Sequence, residues 1–189
     1  MREKEKMLAG LAHNPIEDKE LVKEREYCKN LCFEYNNTKP DKTAKRTKIL
    51  KKLLGKTGKN ILMEQPFHCD YGYNIEVGEN FYSNHNLVIL DPAKVTIGDN
   101  VFIGPNCGFY TPEHPLDAEN RIKGFEYAYP IKIGNNVWLG GNVTILAGVT
   151  IGDNTVIGAG SVVTKDIPAN VVAVGNPCKV IKEIEKEDR

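Results

Sequence analysis

Apolar side chains in the first sixty residues recur at intervals of three and four, the spacing of an amphipathic helix. A first face contains Leu21, Arg25, Cys28, Leu31, Cys32 and Tyr35. The polar segment NNTKPD then indicates a turn. A second face contains Ile49, Leu50, Leu53 and Leu54, and Gly55 marks its end. We therefore predict a charged helical segment over residues 1–60 that caps the rest of the chain.

From Ile75 onward the pattern changes to a repeat of six residues. An aliphatic residue followed by glycine occurs at Val77, Ile97, Ile103, Ile133, Leu139, Ile151 and Ile157. The intervals between these positions are 20, 6, 30, 6, 12 and 6 residues, so all but the first are multiples of six. The first interval indicates a two-residue insertion near DPAK, Asp91 to Lys94. A hexapeptide period predicts a parallel β-helix.

The geometry of a hexad explains this prediction. Each hexad supplies a short extended run with aliphatic side chains pointing inward, then a corner where Gly or Asn accepts backbone angles that other residues resist. IGDNV, IGNNV and IGDNT place Gly and Asn together at such corners. Three hexads close one triangular coil, so a mainly β solenoid of about five coils is expected. We place it at residues 61–182, with a charged tail at 183–189. A β-sandwich would instead need turns every 8–12 residues.

One segment, residues 111–130, interrupts the repeat around His114. The side of a β-helix is flat and offers no cleft, so a reaction site requires a part of the chain that leaves the coil. We expect this inserted loop to build the site.

Composition narrows the classes of partner. The chain has 25 basic and 25 acidic side chains among 189 residues, which removes the electrostatic argument for nucleic acid or an anionic membrane. No segment resembles a signal peptide or a membrane span, and the five cysteines follow no disulfide or metal-ligand pattern. Cys28 and Cys32 stand four apart on a predicted helix, but without a second pair of ligands we expect buried packing. We expect a cytoplasmic protein that needs no metal.

Motifs along nearly the whole chain also carry a family resemblance. They are EKEKMLAG, CDYGYNIEVGENFYSN, IGNNVWLGGNVTILAGVTIGDN and GAGSVVTKDIPANVV with NPCKVIKEI after it. Together they resemble the maltose/galactoside O-acetyltransferases, which are left-handed β-helix enzymes. The resemblance implies acetyl transfer from acetyl-CoA to a small sugar of the glucose or maltose type, in a homotrimer with sites at subunit interfaces. It also implies the left-handed sense, which periodicity alone does not give.

The resemblance assigns five residues to the acceptor side, which the N-terminal segment caps. His114 is the general base, because imidazole can take a hydroxyl proton at neutral pH and return it to the leaving thiolate. Glu126 matches a position that holds the imidazole or an acceptor hydroxyl, and Asn84 one that contacts both acceptor and donor. Asp70 offers a carboxylate to the sugar. Asn14 stands where the family commonly has an acceptor-binding aspartate.

The resemblance also implies a donor site. The matching positions are Asn84, Gly104, Gly141 and Ala159 along the pantetheine groove, Trp138 beside it, and Thr164, Lys165, Lys179 and Lys182 at the nucleotide end. Small residues permit a ligand to lie close to the backbone, and a backbone N–H near Gly141 could stabilise the oxyanion. Alternation places Trp138 on the outer face, where it walls the site or covers a trimer interface.

Other interpretations remain open from the residues alone. A histidine before proline also fits a surface loop, Asn84 a β-helix corner, Asp70 a turn, Glu126 a solvated loop and the small residues a packed corner. A metal enzyme would need three converging histidines, and a purely structural β-helix would need no inserted histidine loop. Hexapeptide acetyltransferases that act on antibiotics, amino acids or nucleotide sugars are the alternative enzymes.

Overall fold

Three helices open the chain in the computed structural model, which describes residues 1–185. They are α1 Glu3–Leu8, α2 Lys19–Asn36 and α3 Thr43–Leu53. Asp18 starts α2, because its carboxylate accepts hydrogen bonds from the backbone N–H groups of Glu20 and Leu21. The predicted apolar faces are the buried ones: Leu21, Cys28, Leu31, Cys32 and Tyr35 on α2, and Ile49, Leu50 and Leu53 on α3. Both helices expected from the spacing are therefore confirmed.

Short parallel strands then form complete coils of three. The first three coils are β1 Lys56–Thr57, β2 Ile61–Met63, β3 Phe67–Cys69; β4 Ile75–Val77, β5 Phe81–Ser83, β6 Leu87–Leu90; and β7 Val95–Ile97, β8 Phe102–Ile103, β9 Gly108–Tyr110. The next segment leaves the coil as β10 Pro112–Glu113, α4 Ala118–Ile122 and β11 Tyr127–Ala128. Two more coils follow: β12 Ile131–Ile133, β13 Trp138–Leu139, β14 Thr144–Ile145; and β15 Thr150–Ile151, β16 Val156–Ile157, β17 Val162–Val163.

The strands stack into three flat faces. The first face is β1-β4-β7-β12-β15, the second includes β2-β5-β8-β13-β16 and the third is β3-β6-β9-β14-β17. An incomplete sixth coil begins at Ile167, which bridges Ile151 on the first face, and continues as β18, Val171–Val174, which pairs with β16 on the second face. Strand β19, Lys179–Glu183, pairs with β18 antiparallel. The predicted β-helix is confirmed, with five complete coils and about six turns in all. Its hand stays a prediction. Residues 186–189 of the predicted tail lie outside the described residues.

The solenoid starts at Lys56, earlier than the predicted boundary at residue 61. Strand β1 pairs with β4 in the register Thr57 to Val77, so Thr57-Gly58 is an early member of the repeat. The pattern missed it because threonine stands where later coils have an aliphatic residue. All seven aliphatic positions that defined the repeat are buried, at 3% exposure or less.

Coil length changes along the solenoid. Partners on the first face are 20 residues apart early, as in Ile75 and Val95, and 18 apart later, as in Lys132 and Thr150. The insertion predicted at DPAK is therefore present, and it lies at the corner between the third face and the next first face.

Asparagines line the first edge, between the first and second faces. Their side-chain N–H groups donate to the next asparagine oxygen in a ladder at 2.9–3.2 Å through Asn60, Asn80, Asn100, Asn136, Asn154 and Asn170. From Asn80 onward each has φ between 54° and 60°, a left-handed conformation that asparagine tolerates. The Gly-Asn corners read from the sequence therefore also stabilise coil stacking.

The inserted loop packs back onto the N-terminal segment. It occupies residues 111–130, between β9 and β12, and β10 pairs antiparallel with β11 within it. His13 and Glu126 exchange two backbone hydrogen bonds of 3.0 and 2.9 Å. The cap and the loop are thus joined by backbone hydrogen bonds. None of the helices in residues 1–185 combines the length and the apolar composition that crossing a membrane requires.

Candidate active site

The third edge of the solenoid, between the third and first faces, brings together Asp70 and Glu126 of the predicted acceptor residues, whereas Asn84 lies at the second edge. Asp70 follows β3, Pro92 follows β6 and the inserted loop follows β9, so stacking places them above one another. A cleft of about 250 Å³ opens at this edge. Its lining is Pro15, Ile16, Arg25, Lys29, Asp70, Tyr71, Pro92 and Glu126. The fold therefore brings Asp70 and Glu126 together although 56 residues separate them in sequence.

Opposite charges balance in this cleft. Asp70 and Glu126 contribute two carboxylates, and Arg25 and Lys29 contribute two cations from α2. Burial raises the pKa of Asp70, and the negative charge of Glu126 raises it further. A cleft with donors and acceptors but little net charge suits a neutral polyhydroxyl ligand better than an anionic one.

Asp91 supports the cleft from below. Its side chain is fully buried, and its Oδ1 accepts hydrogen bonds from the backbone N–H groups of Asp70 and Tyr71 at 3.0 and 2.9 Å. Burial raises the pKa of this carboxyl to about 7, and the charge of Asp70 adds to the effect. Asp91 thereby fixes the turn that presents Asp70.

His114 lies at the base of the loop, beside Glu126. Its Nδ1 is 3.3 Å from the backbone oxygen of Phe125, and its Nε2 is 3.9 Å from Glu126 Oε1. A carbonyl oxygen only accepts, so Nδ1 carries the proton in this contact and neutral Nε2 keeps its lone pair. The imidazole is more than half exposed, at 56%, whereas the Glu126 side chain is 20% exposed. The exposed imidazole therefore lies next to a carboxylate that lines the cleft.

Asn14 connects the cap to the loop. Its side-chain amide donates to the backbone oxygen of Lys123 at 2.9 Å, and its Oδ1 accepts from the N–H groups of Ile16 and Glu17. The residue is 6% exposed. Its polar atoms are thus engaged within the chain, and an acceptor contact at Asn14 stays a prediction.

Replacing Asn14 by alanine should loosen this connection. Removal of this buried amide breaks its hydrogen bonds to Lys123, Ile16 and Glu17, and we expect a loss of about 1–3 kcal/mol of unfolding free energy. Chemical unfolding at one fixed protein concentration measures the loss. Asn37→Ala is the matched control, because Asn37 makes a comparable 2.9 Å bond to Phe33 in an exposed position. Equal effects of the two changes would contradict a special role for Asn14.

The second edge, between the second and third faces, collects the predicted donor residues. Asn84 follows β5, Gly104 follows β8, Gly141 lies between β13 and β14, and Ala159 between β16 and β17. The Asn84 oxygen accepts a bond from its neighbour's backbone N–H at 2.7 Å. Trp138 projects from the adjacent second face and is 57% exposed, as alternation predicted. These residues form one line along the solenoid, at a different edge from His114.

The four predicted nucleotide contacts lie toward the C-terminal end. Thr164 and Lys165 follow β17 and are exposed, and Lys179 and Lys182 are exposed on β19. Thr164 and Lys165 come after a third-face strand and so lie at the third edge, whereas β19 pairs with β18 on the second face. The four residues therefore share only the C-terminal end of the solenoid. Contact with a nucleotide stays a prediction for all four.

Two supporting residues were missed from the sequence. Arg25 donates to the Tyr71 hydroxyl and to the Pro15 backbone oxygen, both at 2.7 Å, and so fixes one wall of the cleft. The sequence feature that could have identified Arg25 is its position as a charged residue within the apolar face of α2. The sequence analysis named Asp91 only as part of the DPAK insertion. The feature that could have identified its supporting role is an acidic residue directly after an apolar strand.

Comparisons with known proteins agree with this geometry. Residues 6–58 match the model of the maltose acetyltransferase hexapeptide capping motif, residues 130–165 match the bacterial transferase hexapeptide (six repeats), and residues 94–111 match the hexapeptide repeat of succinyl-transferase.

Solved structures and a curated relative extend the match to the whole chain. A maltose O-acetyltransferase from Clostridium difficile 630 is 59% identical with a TM-score of 0.96, covering 98% of this chain and 99% of that one. A galactoside acetyltransferase in complex with coenzyme A is 47% identical with a TM-score of 0.96, covering 100% of this chain and 94% of that one. The galactoside O-acetyltransferase of Escherichia coli (strain K12) is 52% identical over 85% of this chain and 79% of its own length. The chain therefore belongs to the maltose/galactoside O-acetyltransferase family of hexapeptide-repeat acyltransferases.

Proposed function

We propose that this protein transfers the acetyl group of acetyl-CoA to a hydroxyl of a small sugar, with His114 as general base. The observation that carries the proposal is the 3.9 Å distance between His114 Nε2 and the carboxylate of Glu126, which lines the acceptor cleft. The relatives support the reaction class, because they are named maltose and galactoside O-acetyltransferases and one is in complex with coenzyme A.

The acceptor hydroxyl would bind between His114 and Glu126. Nε2 removes its proton as the oxygen attacks the thioester carbonyl, and the imidazolium later returns a proton to the departing CoA thiolate. Because Nδ1 is already directed to the Phe125 oxygen, Glu126 is better placed to hold the acceptor hydroxyl than to orient the ring. Asp70, Arg25 and Lys29 would hydrogen-bond the remaining sugar hydroxyls.

The donor would lie along the second edge. Small residues at Gly104, Gly141 and Ala159 let the pantetheine arm approach the backbone, and Asn84 would contact the acetyl end. A backbone N–H near Gly141 would stabilise the tetrahedral oxyanion. Lys165, Lys179 and Lys182 would bind the nucleotide phosphates, with Thr164 beside them.

An acceptor panel tests the reaction. The protein and acetyl-CoA are incubated with glucose, maltose, a β-galactoside, a non-sugar alcohol and an amine, and free thiol is measured over time. We expect glucose or maltose to be the best acceptors, because the cleft is polar and nearly neutral. If the alcohol or the amine is acetylated and no sugar is, the protein is still an acetyltransferase but the proposal of a sugar acceptor is wrong.

The two edges argue for a site shared between subunits. One face separates the His114 edge from the Asn84 edge, and a side of about six residues at roughly 3.3 Å each holds them roughly 15–20 Å apart. The second face also exposes an apolar column that includes Leu62, Phe102 and Trp138 at 43–57% exposure. A homotrimer would cover this column and bring the second edge of one chain to the third edge of another.

Mixing two inactive variants tests this assembly. We expect light scattering to give three times the mass of the chain, and His114→Ala and Asn84→Ala each to be impaired alone. Co-assembled in equal amounts, they should regain up to about one quarter of wild-type activity, the fraction of interfaces that receive both intact residues. A mixture that assembles into hybrid trimers but recovers no activity would place the two residues in one subunit.

A further inference from the structure

Three buried cysteine sulfurs meet between α2 and the first coil. Cys28 and Cys32 lie one helical turn apart on the buried face of α2, and Cys69 ends β3 opposite them. The Sγ of Cys69 is 3.4 Å from that of Cys28 and 3.9 Å from that of Cys32, and all three sulfurs lie within 4.8 Å of one another. Their residues are 0–6% exposed. The sequence spacing predicted proximity only for Cys28 and Cys32, and it gave no indication that Cys69 lies beside them.

This arrangement resembles a set of ligands around one centre. Sulfurs bound to a common metal at about 2.3 Å stand about 3.8–4.0 Å apart in trigonal or tetrahedral geometry. The observed separations lie close to that range, so small side-chain adjustments would bring all three sulfurs to one ion. Simple apolar packing would not require three sulfurs to converge.

The local charge also favours a cation. The buried carboxylate of Asp91 lies next to the cluster, because its Oδ1 accepts a hydrogen bond from the backbone N–H of Asp70, the residue after Cys69. Among the described residues, the Oδ2 of the buried Asp91 has no hydrogen-bond partner. A positive ion among the sulfurs would be attracted by this carboxylate and would stabilise the thiolates.

We propose that Cys28, Cys32 and Cys69 form a binding site for a soft cation of the copper(I) class. Thiolates select soft ions, and copper(I) accepts three sulfur ligands. Structural zinc almost always takes four ligands, and within residues 1–185 the cluster of metal-ligating atoms found here contains these three thiols and no fourth member. Each thiol that is still protonated releases its proton to solvent when its sulfur binds.

The site would clamp the cap to the solenoid. It joins α2, which carries Arg25 and Lys29, to β3, which leads directly into Asp70. An ion bound to the folded chain and not to the unfolded one raises thermal stability. The ion would therefore stabilise the wall of the acceptor cleft without entering the reaction.

Anaerobic titration with copper(I) tests the site. Fully reduced protein is titrated in the presence of a competing copper(I) chelator, and a second sample is produced in copper-supplemented medium, because the sulfurs are shielded from solvent. We expect one copper per chain, a thiolate-to-copper ultraviolet absorption band and a higher Tm. Absence of copper from both preparations would overturn the proposal.

Cysteine variants assign the ligands. Cys28→Ser, Cys32→Ser and Cys69→Ser should each bind copper at least about tenfold more weakly and lose the Tm increase. Cys107→Ser and Cys178→Ser remove buried thiols elsewhere in the chain, and they should change neither the copper affinity nor the Tm increase. Alanine replaces serine in any variant whose circular dichroism shows misfolding. Equal loss in the two control variants, or undiminished binding in folded cluster variants, would contradict the assignment.

Discussion

His114→Ala is expected to lower kcat by about 10²–10⁴-fold, the usual contribution of a positioned general base. The imidazole is 56% exposed and its contacts are few, so its removal should leave the solenoid and its stability nearly unchanged. Steady-state kinetics with acetyl-CoA and a saturating sugar measure the effect. The Michaelis constant for acetyl-CoA should change little, because the donor residues lie at another edge.

His68→Ala is the matched control for this change. His68 is an exposed histidine on the outer side of β3, and we expect it to keep wild-type turnover. Glu126→Gln separates the two roles considered for the carboxylate. If Glu126 holds the acceptor, this variant should raise the sugar KM more than it lowers kcat. Wild-type kcat in His114→Ala would exclude the proposed base.

The solenoid was predictable because one period encodes both its core and its corners. Stacking requires an aliphatic residue at each inward position and Gly or Asn at each corner. The recurrence of aliphatic-Gly pairs such as those that begin at Ile97 and Leu139 therefore predicts the architecture. The first coil escaped the pattern, since Thr57 occupies the equivalent position there. Its pairing partner, Val77, becomes evident only from the three-dimensional register.

The acceptor cleft was less predictable, because it depends on contacts between distant segments. Asp70 and Glu126 meet through the two extra residues in each of the early coils, a loop insertion and the docking of α2. None of these distances follows from a period of six. Arg25 and Asp91 support the cleft through contacts with Tyr71, which lies 46 and 20 residues away from them. The cysteine cluster was hidden for the same reason, since Cys69 lies 37 residues beyond Cys32.

Substitution by alanine should affect stability at one glycine of the second edge and donor binding at another. A Cβ added at Gly104 would lie 2.6 Å from the backbone nitrogen of Gly141, too close for the coils to stack without a shift. A Cβ added at Gly141 would first meet the Pro105 side chain, at 3.3 Å, which needs only a slight adjustment. Gly104 is thus required by packing, whereas a Cβ at Gly141 would need only a shift of the Pro105 side chain.

Gly104→Ala is therefore expected to destabilise the fold by about 1–3 kcal/mol, the usual cost of overpacking. Gly141→Ala should keep wild-type stability but raise the KM for acetyl-CoA about tenfold or more, a loss of about 1.4 kcal/mol in binding. Gly98→Ala provides the control on the first edge, where the added Cβ would lie 2.7 Å from the Gly134 oxygen. It should lower stability as Gly104→Ala does, without a specific change in the KM of the folded fraction. Thermal unfolding and kinetics at varied acetyl-CoA separate these outcomes. An unchanged KM in a stable Gly141→Ala protein would show that the donor does not follow the second edge.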